Sequence, residues 1–221
     1  RSTIAWPGPL RHGAESAGRE GFPSRELVYV CAMTDKSAFI EALKALLGPG
    51  GYAEAPHDLE PFMHDWRGRS GATPFAALPR TTEQVSAIVR LANEAGVPLV
   101  TQGGHTGLVM GALPQREIIV STKRLDRIRA INPDSDFIIA EAGTVLTRVQ
   151  EAARDADRLF PLSLASEGSA TIGGLVSTNA GGVAVLRYGM MRDLVFGLEV
   201  VLPDGRIWDG LRTLRKDNTG Y

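Results

Sequence analysis

The chain has one cysteine, Cys31, so no internal disulfide can form, which fits a compartment that keeps thiols reduced. No stretch approaches the roughly 20 apolar residues that cross a bilayer, so no transmembrane segment is expected. A strong field of either sign is also lacking. The 24 Lys and Arg are scattered and the formal net charge is −1, which excludes the clustered positive patch that nucleic acid or an anionic membrane requires. Histidines are few and badly spaced for a metal: His12 lies near the start, and His57 and His64 sit seven apart in a proline-flanked connector. Cys31 has no nearby base partner and reads as non-catalytic. Together these absences predict a cytoplasmic location.

Residues 1–32 lack sustained periodicity. They carry Glu15, Glu20 and Glu26, unlike an acid-poor transit peptide. They are expected to be a disordered extension or upstream read-through, with Met33 the natural start; the alternative is an extra strand at the domain edge. Arg1 in first place and a last residue, Tyr221, soon after a hairpin pattern predict a fragment.

What remains is patterned. Residues 35–47 read as an amphipathic helix closed by Gly48-Pro49, followed by a polar connector ending in Asp65-Trp66-Arg67-Gly68. That stretch, 33–72, precedes a domain over 73–221. Phe75–Leu78 reads as a strand closed by Pro79, and Thr81 with Gln84 as a capping box. Val85, Ile88, Val89 and Ala92 mark a helix ending at Gly96, and Val97–Thr101 a strand running into Gly103-Gly104-His105-Thr106-Gly107. Further strands are expected at Glu117–Ser121 and Phe137–Glu141, a helix over 144–156, and a hairpin whose arms flank Asp204-Gly205. Mixed β-α-β and hairpin units argue an α+β fold.

The glycines are concentrated. Ten of 25 fall in 103–111 and 168–189. One cluster is Gln102–Gly107 with Gly111. The other is Glu167-Gly168-Ser169-Ala170-Thr171-Ile172-Gly173-Gly174, continuing through Thr178-Asn179-Ala180-Gly181-Gly182. Glycine permits close backbone approach, and successive backbone N–H groups make concave anion sites. Between Leu159 and Leu186 the only charge is Glu167, so phosphate donors there must be N–H groups and small hydroxyls. The competing explanation is tight turns and close packing. A P-loop is ruled out because Gly174-Leu175 stands where Lys-Ser/Thr is needed. A Rossmann fingerprint would need glycine at Gln102.

Taken in order, Pro79–Val85, Gln102–Pro114, Ser169–Gly182, Leu198–Gly205 and Lys216–Tyr221 resemble the FAD-binding domain of the vanillyl-alcohol oxidase/p-cresol methylhydroxylase superfamily. The nearest resemblance is to its D-2-hydroxyacid dehydrogenase branch, which includes D-2-hydroxyglutarate and D-lactate dehydrogenases. The resemblance spans roughly residues 65–221. It implies a PCMH-type domain of two α+β subdomains with FAD between them, its C-terminal part and the cap domain missing. By it, Gly103, Gly104, His105, Thr106 and Gly107 would meet the FAD pyrophosphate through backbone N–H groups, with Gln102 and Gly111 also among the cofactor-binding residues. Gly168, Ser169, Thr171, Ile172, Gly173, Gly174, Thr178, Asn179, Ala180, Gly181 and Gly182 would line the cofactor's ribityl, pyrophosphate and isoalloxazine side, and Pro161 would also bind it. Pro79 would flank the adenine, with Val200 or Val201 closing over it.

His105 is expected to hydrogen-bond near the cofactor, though some superfamily members bond flavin covalently through such a histidine; this branch holds FAD non-covalently. Trp66 and Trp208 are expected to pack, and Asp65, Arg67 and Arg69 to form a solvated rim. The implied activity is oxidation of a small 2-hydroxy acid by hydride transfer to flavin N5, with an electron acceptor of unspecified identity. The substrate arginine, the base and a divalent-metal site would lie in the missing C-terminal part, so no catalytic residue is named here. An NADPH-dependent reductase of the same fold and a non-catalytic FAD-binding module are the alternatives.

Overall fold

The structure is a computed structural model that describes residues 36–212. The extension, Cys31, Met33 and the Lys216–Tyr221 motif lie outside the described residues.

Helix α1 (Lys36–Leu47) buries Phe39, Leu43 and Leu47, a four-residue spacing that puts them on one face. Strand β1 (Tyr52–Ala53) and helix α2 (Pro56–Met63) follow inside the stretch expected to be a polar connector. Strand β2 (Ala76–Ala77) leads to helix α3 (Thr82–Ala95). At its start Thr81 Oγ1 accepts the Gln84 N–H, while Gln84 Oε1 accepts from Arg80 N–H instead of closing the box on Thr81. Gly96 ends the helix at φ 63°, a left-handed cap that suits glycine.

Strands β3 (Leu99–Gln102) and β4 (Ile118–Ser121) complete a sheet of order β1-β2-β4-β3, with β4 parallel to both neighbours and β1 antiparallel to β2. The sheet therefore crosses the boundary expected near residue 72. β4 is buried along its whole length. Ile118 and Val120 face a core with α1 and α3 that includes Phe75 and Ile88; Ile119 faces Leu59 and Phe62 of α2. A strand covered on both sides reads as an uninterrupted apolar run.

The second half starts with the antiparallel pair β5 (Ile128–Asn132) and β6 (Phe137–Ala140). Helix α4 (Leu146–Asp155) follows, then three short helices: α5 (Ile172–Ser177), α6 (Val185–Tyr188) and α7 (Met191–Leu194). Their core joins Leu146, Leu162, Ala170, Leu175 and Met191. Strands β7 (Leu198–Val201) and β8 (Ile207–Gly210) pair as the expected hairpin. The hairpin docks on α3: Ser86 Oγ donates to Gly205 O and Asn93 Nδ2 to Pro203 O. Arg129 of β5 ties the pieces together, donating to Glu141, Glu199 of β7 and Thr82 of α3. The result is the α+β arrangement expected.

Candidate functional site

β3 and β4 run parallel and end side by side, with Gln102 opposite Ser121. The C-terminal edge of a parallel sheet, where the chain leaves in loops, is where such folds bind ligands. Here β3 releases the Gly103–Gly107 loop and β4 the Thr122–Arg124 turn. His105 reverses the loop direction at φ 56°, a left-handed conformation uncommon outside glycine.

The two glycine clusters meet. Gly104 N–H donates to Thr171 Oγ1 at 3.2 Å. A Cβ at Gly103 would fall 2.3 Å from that same oxygen, and one at Gly104 2.0 Å from Ser169 O. Neither position tolerates a side chain. Thr171 precedes α5 but makes no side-chain cap bond to it, because its hydroxyl is turned to Gly104. Gly173 packs against Ala142 and Gly182 against Ser163 O, each leaving no space for a Cβ. Close packing thus accounts for Gly103, Gly104, Gly173 and Gly182. Gly107, Gly111, Gly168 and Gly174 are different: no protein atom lies closer than 3.7 Å to where their Cβ would be. Among the described residues, the N–H groups of His105, Thr106, Gly107, Leu108 and Val109 have no protein acceptor.

The other expected residues divide by position. Gln102 is buried behind the loop, its Nε2 donating to Phe62 O and Ala112 O. Pro79 is fully enclosed by protein and presents no free face. Thr178 Oγ1 donates back to Gly174 O, and Asn179, at φ 49°, accepts Arg192 N–H at 2.9 Å. About 9 Å of α5 separates Thr171 from this 178–182 turn. Ala180 accepts Met191 N–H through its carbonyl, and Gly181 lies against Val185 and Met190. Pro161 and Ile172 line an apolar cavity of about 350 Å³ between β6, α7 and the start of β7. Ser169, Ala170 and Thr171 are therefore the part of the second cluster that lies against the first loop.

Sequence reasoning undervalued the 65–69 turn. Asp65 is buried, accepting Arg67 N–H, Arg69 N–H and Arg69 Nε at 3.0, 2.9 and 2.5 Å. Burial alone would raise its pKa, but the Arg69 and Arg67 donors outweigh this and hold it low. The expected solvated rim is thus an organised turn, closed by Gly68 at φ 76°. Trp66 Nε1 donates to Gly107 O at 3.2 Å. The available signal was Asp65-Trp66-Arg67-Gly68-Arg69 itself, an acid and a turn glycine bracketing an aromatic. Lys123 was also passed over; its Nζ lies 4.9 Å above the Phe62 ring. Burial, with Lys123 and Arg69 adding and Asp65 opposing, lowers the His105 pKa. The loop holds no cation, yet two stand near enough to favour a neutral imidazole.

A family model described as "FAD binding domain" matches residues 74–210. The chain belongs to that family. FAD is the cofactor such a domain binds. The chain is 42% identical over 213 residues (96% of its length, 39% of the relative) to a zebrafish (Danio rerio) protein named D-2-hydroxyglutarate dehydrogenase, mitochondrial. It is 39% identical over 91% of its length, and 37% of the relative, to the cattle (Bos taurus) protein of the same name. A Saccharomyces cerevisiae D-2-hydroxyglutarate–pyruvate transhydrogenase is 40% identical over 76% of the chain and 34% of the relative. The chain thus spans little more than a third of these proteins.

Among solved structures, alkyldihydroxyacetonephosphate synthase superposes with a TM-score of 0.72 at 19% identity, over 79% of this chain and 38% of that one. p-Cresol methylhydroxylase superposes with a TM-score of 0.63 at 22% identity, over 81% and 36%. These identify the fold as PCMH-type. The cytoplasmic expectation is overturned, because the zebrafish and cattle relatives are named as mitochondrial. A lone cysteine argues against a structural disulfide and does not distinguish between compartments that keep thiols reduced.

Proposed function

We propose that this chain is the FAD-binding part of a mitochondrial dehydrogenase that oxidises a D-2-hydroxy acid, with D-2-hydroxyglutarate the first substrate to test. The observation that carries the reading is the Gly103–Gly107 loop. It stands at the carboxyl end of β3 with a run of N–H groups free of protein acceptors, braced by Thr171 of the second cluster. Free N–H groups on a rigid frame suit a diphosphate. The bare flanks of Gly107, Gly111, Gly168 and Gly174 let a ligand approach the backbone closely. When bound, FAD supplies N5 as hydride acceptor.

In this reading the backbone N–H groups of His105, Thr106, Gly107, Leu108 and Val109 hold the diphosphate. Ser169 and Thr171 fix the facing wall, and Thr178–Gly182 borders the cofactor further along. His105 stays neutral and the attachment is non-covalent. The substrate arginine, the base, a divalent metal and the electron acceptor's docking site belong to the part of the protein beyond this chain. Among the described residues no group of three or more His, Cys, Asp or Glu is gathered to hold a metal.

The test is to purify the full-length protein, record its visible spectrum and mix it without oxygen with D-2-hydroxyglutarate, D-lactate or NADPH. A yellow protein bleached by a D-2-hydroxy acid, which releases free FAD on acid precipitation, is expected. Bleaching by NADPH alone would move the assignment to a reductase, and a colourless protein that refuses FAD would end it.

A further inference from the structure

An anion-binding loop has a problem that its N–H groups do not solve. Each peptide that turns an N–H toward the anion must turn its carbonyl the other way, because the trans peptide unit is planar. Those carbonyls need donors of their own, or the loop relaxes and swings them back toward the site. In the Gly103–Val109 segment, two carbonyls find such donors outside the loop, both in the 65–69 turn. Trp66 Nε1 donates to Gly107 O at 3.2 Å, and an Arg69 terminal nitrogen donates to Leu108 O at 3.4 Å.

These peptides carry the N–H groups of Leu108 and Val109, which have no protein acceptor among the described residues. The donors are themselves held in place. Asp65, its side chain 3% exposed, binds Arg69 Nε and the N–H groups of both Arg67 and Arg69. The Arg67 guanidinium lies 5.1 Å over the Trp66 ring. The turn is closed at its base by a bridge between His64 and Ser70 and by Gly71 N–H on Met63 O.

We infer that Trp66 and Arg69, the latter held by Asp65, are positioning residues of the anion site. They hold the Gly107 and Leu108 carbonyls outward so that the adjoining N–H groups are fixed before any ligand arrives. The inference rests on the flavin reading above and adds to it the device that sets the affinity.

Trp66 is 61% exposed, so Trp66→Phe removes the N–H donor without emptying a core. In the full-length protein this change is expected to raise the FAD Kd about fivefold, the size of one neutral hydrogen bond. The melting temperature without cofactor should not change. Arg69→Met should raise the Kd about tenfold or more. Arg69→Lys should fail to restore it, because a single ammonium cannot span Asp65 and Leu108 O as the fork does. Rescue by lysine would mean that only the charge matters, and would overturn the inference.

A Trp66→Phe protein with wild-type Kd would overturn it as well, while wild-type binding left the flavin reading intact. If wild-type protein bound no FAD, the flavin reading would fall. Backbone NMR order parameters at amides 105–109 of the unliganded protein would then judge the clasp: lower values in Trp66→Phe support it, and unchanged values overturn it.

Discussion

Thr171 carries more of the site than its single hydroxyl suggests. Its Oγ1 accepts the Gly104 N–H and occupies the space a side chain at Gly103 would need. Thr171→Val, nearly the same shape without the acceptor, should weaken FAD binding several-fold in a fluorescence titration, leaving Gly104 N–H without its partner. Thr171→Ser should bind nearly as wild type. At Glu141 the charge balance predicts a pH effect. Burial alone would raise its pKa, but hydrogen bonds from Arg127 and Arg129 outweigh burial and hold it below the ordinary carboxylate value. A depressed acid contributes stability above its unfolded pKa, about 4.3, and loses it as pH falls through the folded value. Thermal melts between pH 6 and pH 3 should therefore fall less steeply in Glu141→Gln, though from a lower starting point.

Individual elements differ in how plainly the residues announced them. The α1 face of Phe39 and Leu43, and α3 with Thr81 before it and Gly96 after, were legible because 3.6-residue periodicity and end signals agree. The Asp204-Gly205 hairpin was legible for the same reason of local sufficiency. β5 was not: Arg127 and Arg129 flank Ile128, and only Glu141 across the ladder shows why arginines belong there. α2 was hidden by Pro56 and Pro61, and α5 by Gly173 and Gly174; the smallness of Gly173 is demanded by Ala142 rather than by a turn. Both loops of the site were legible as clusters, but their meeting at Thr171 depends on tertiary contact that no spacing reveals. Within elements, β4 is the most sensitive. Ile119→Ala, enclosed on the α2 side, should cost about 2–5 kcal/mol in denaturant unfolding.

At the scale of the molecule, the chain covers 39% of its zebrafish relative. Two features fit a piece of a larger body. Among the described residues the pairs β5–β6 and β7–β8 are each two-stranded, and an apolar cavity of about 350 Å³ lies between β6 and the start of β7. Two-stranded ribbons are marginal alone, and unpaired edges invite association. The 221-residue chain expressed by itself should bind a hydrophobic dye and self-associate at micromolar concentration, whereas the full-length protein should do neither. Equal dye binding by both would show that the cavity stays open in the complete protein.

One contact links cofactor affinity to cooperativity of unfolding. Because the Gly104–Thr171 hydrogen bond joins the sheet half to the helical half, a ligand resting on both loops cannot stabilise one half without the other. Saturating flavin nucleotide should merge any separate melting steps into one. At a hundred times Kd, the folded state should gain about 2.7 kcal/mol by mass action. Cofactor supply would then set how much of this protein survives in the cell, as well as how fast it works.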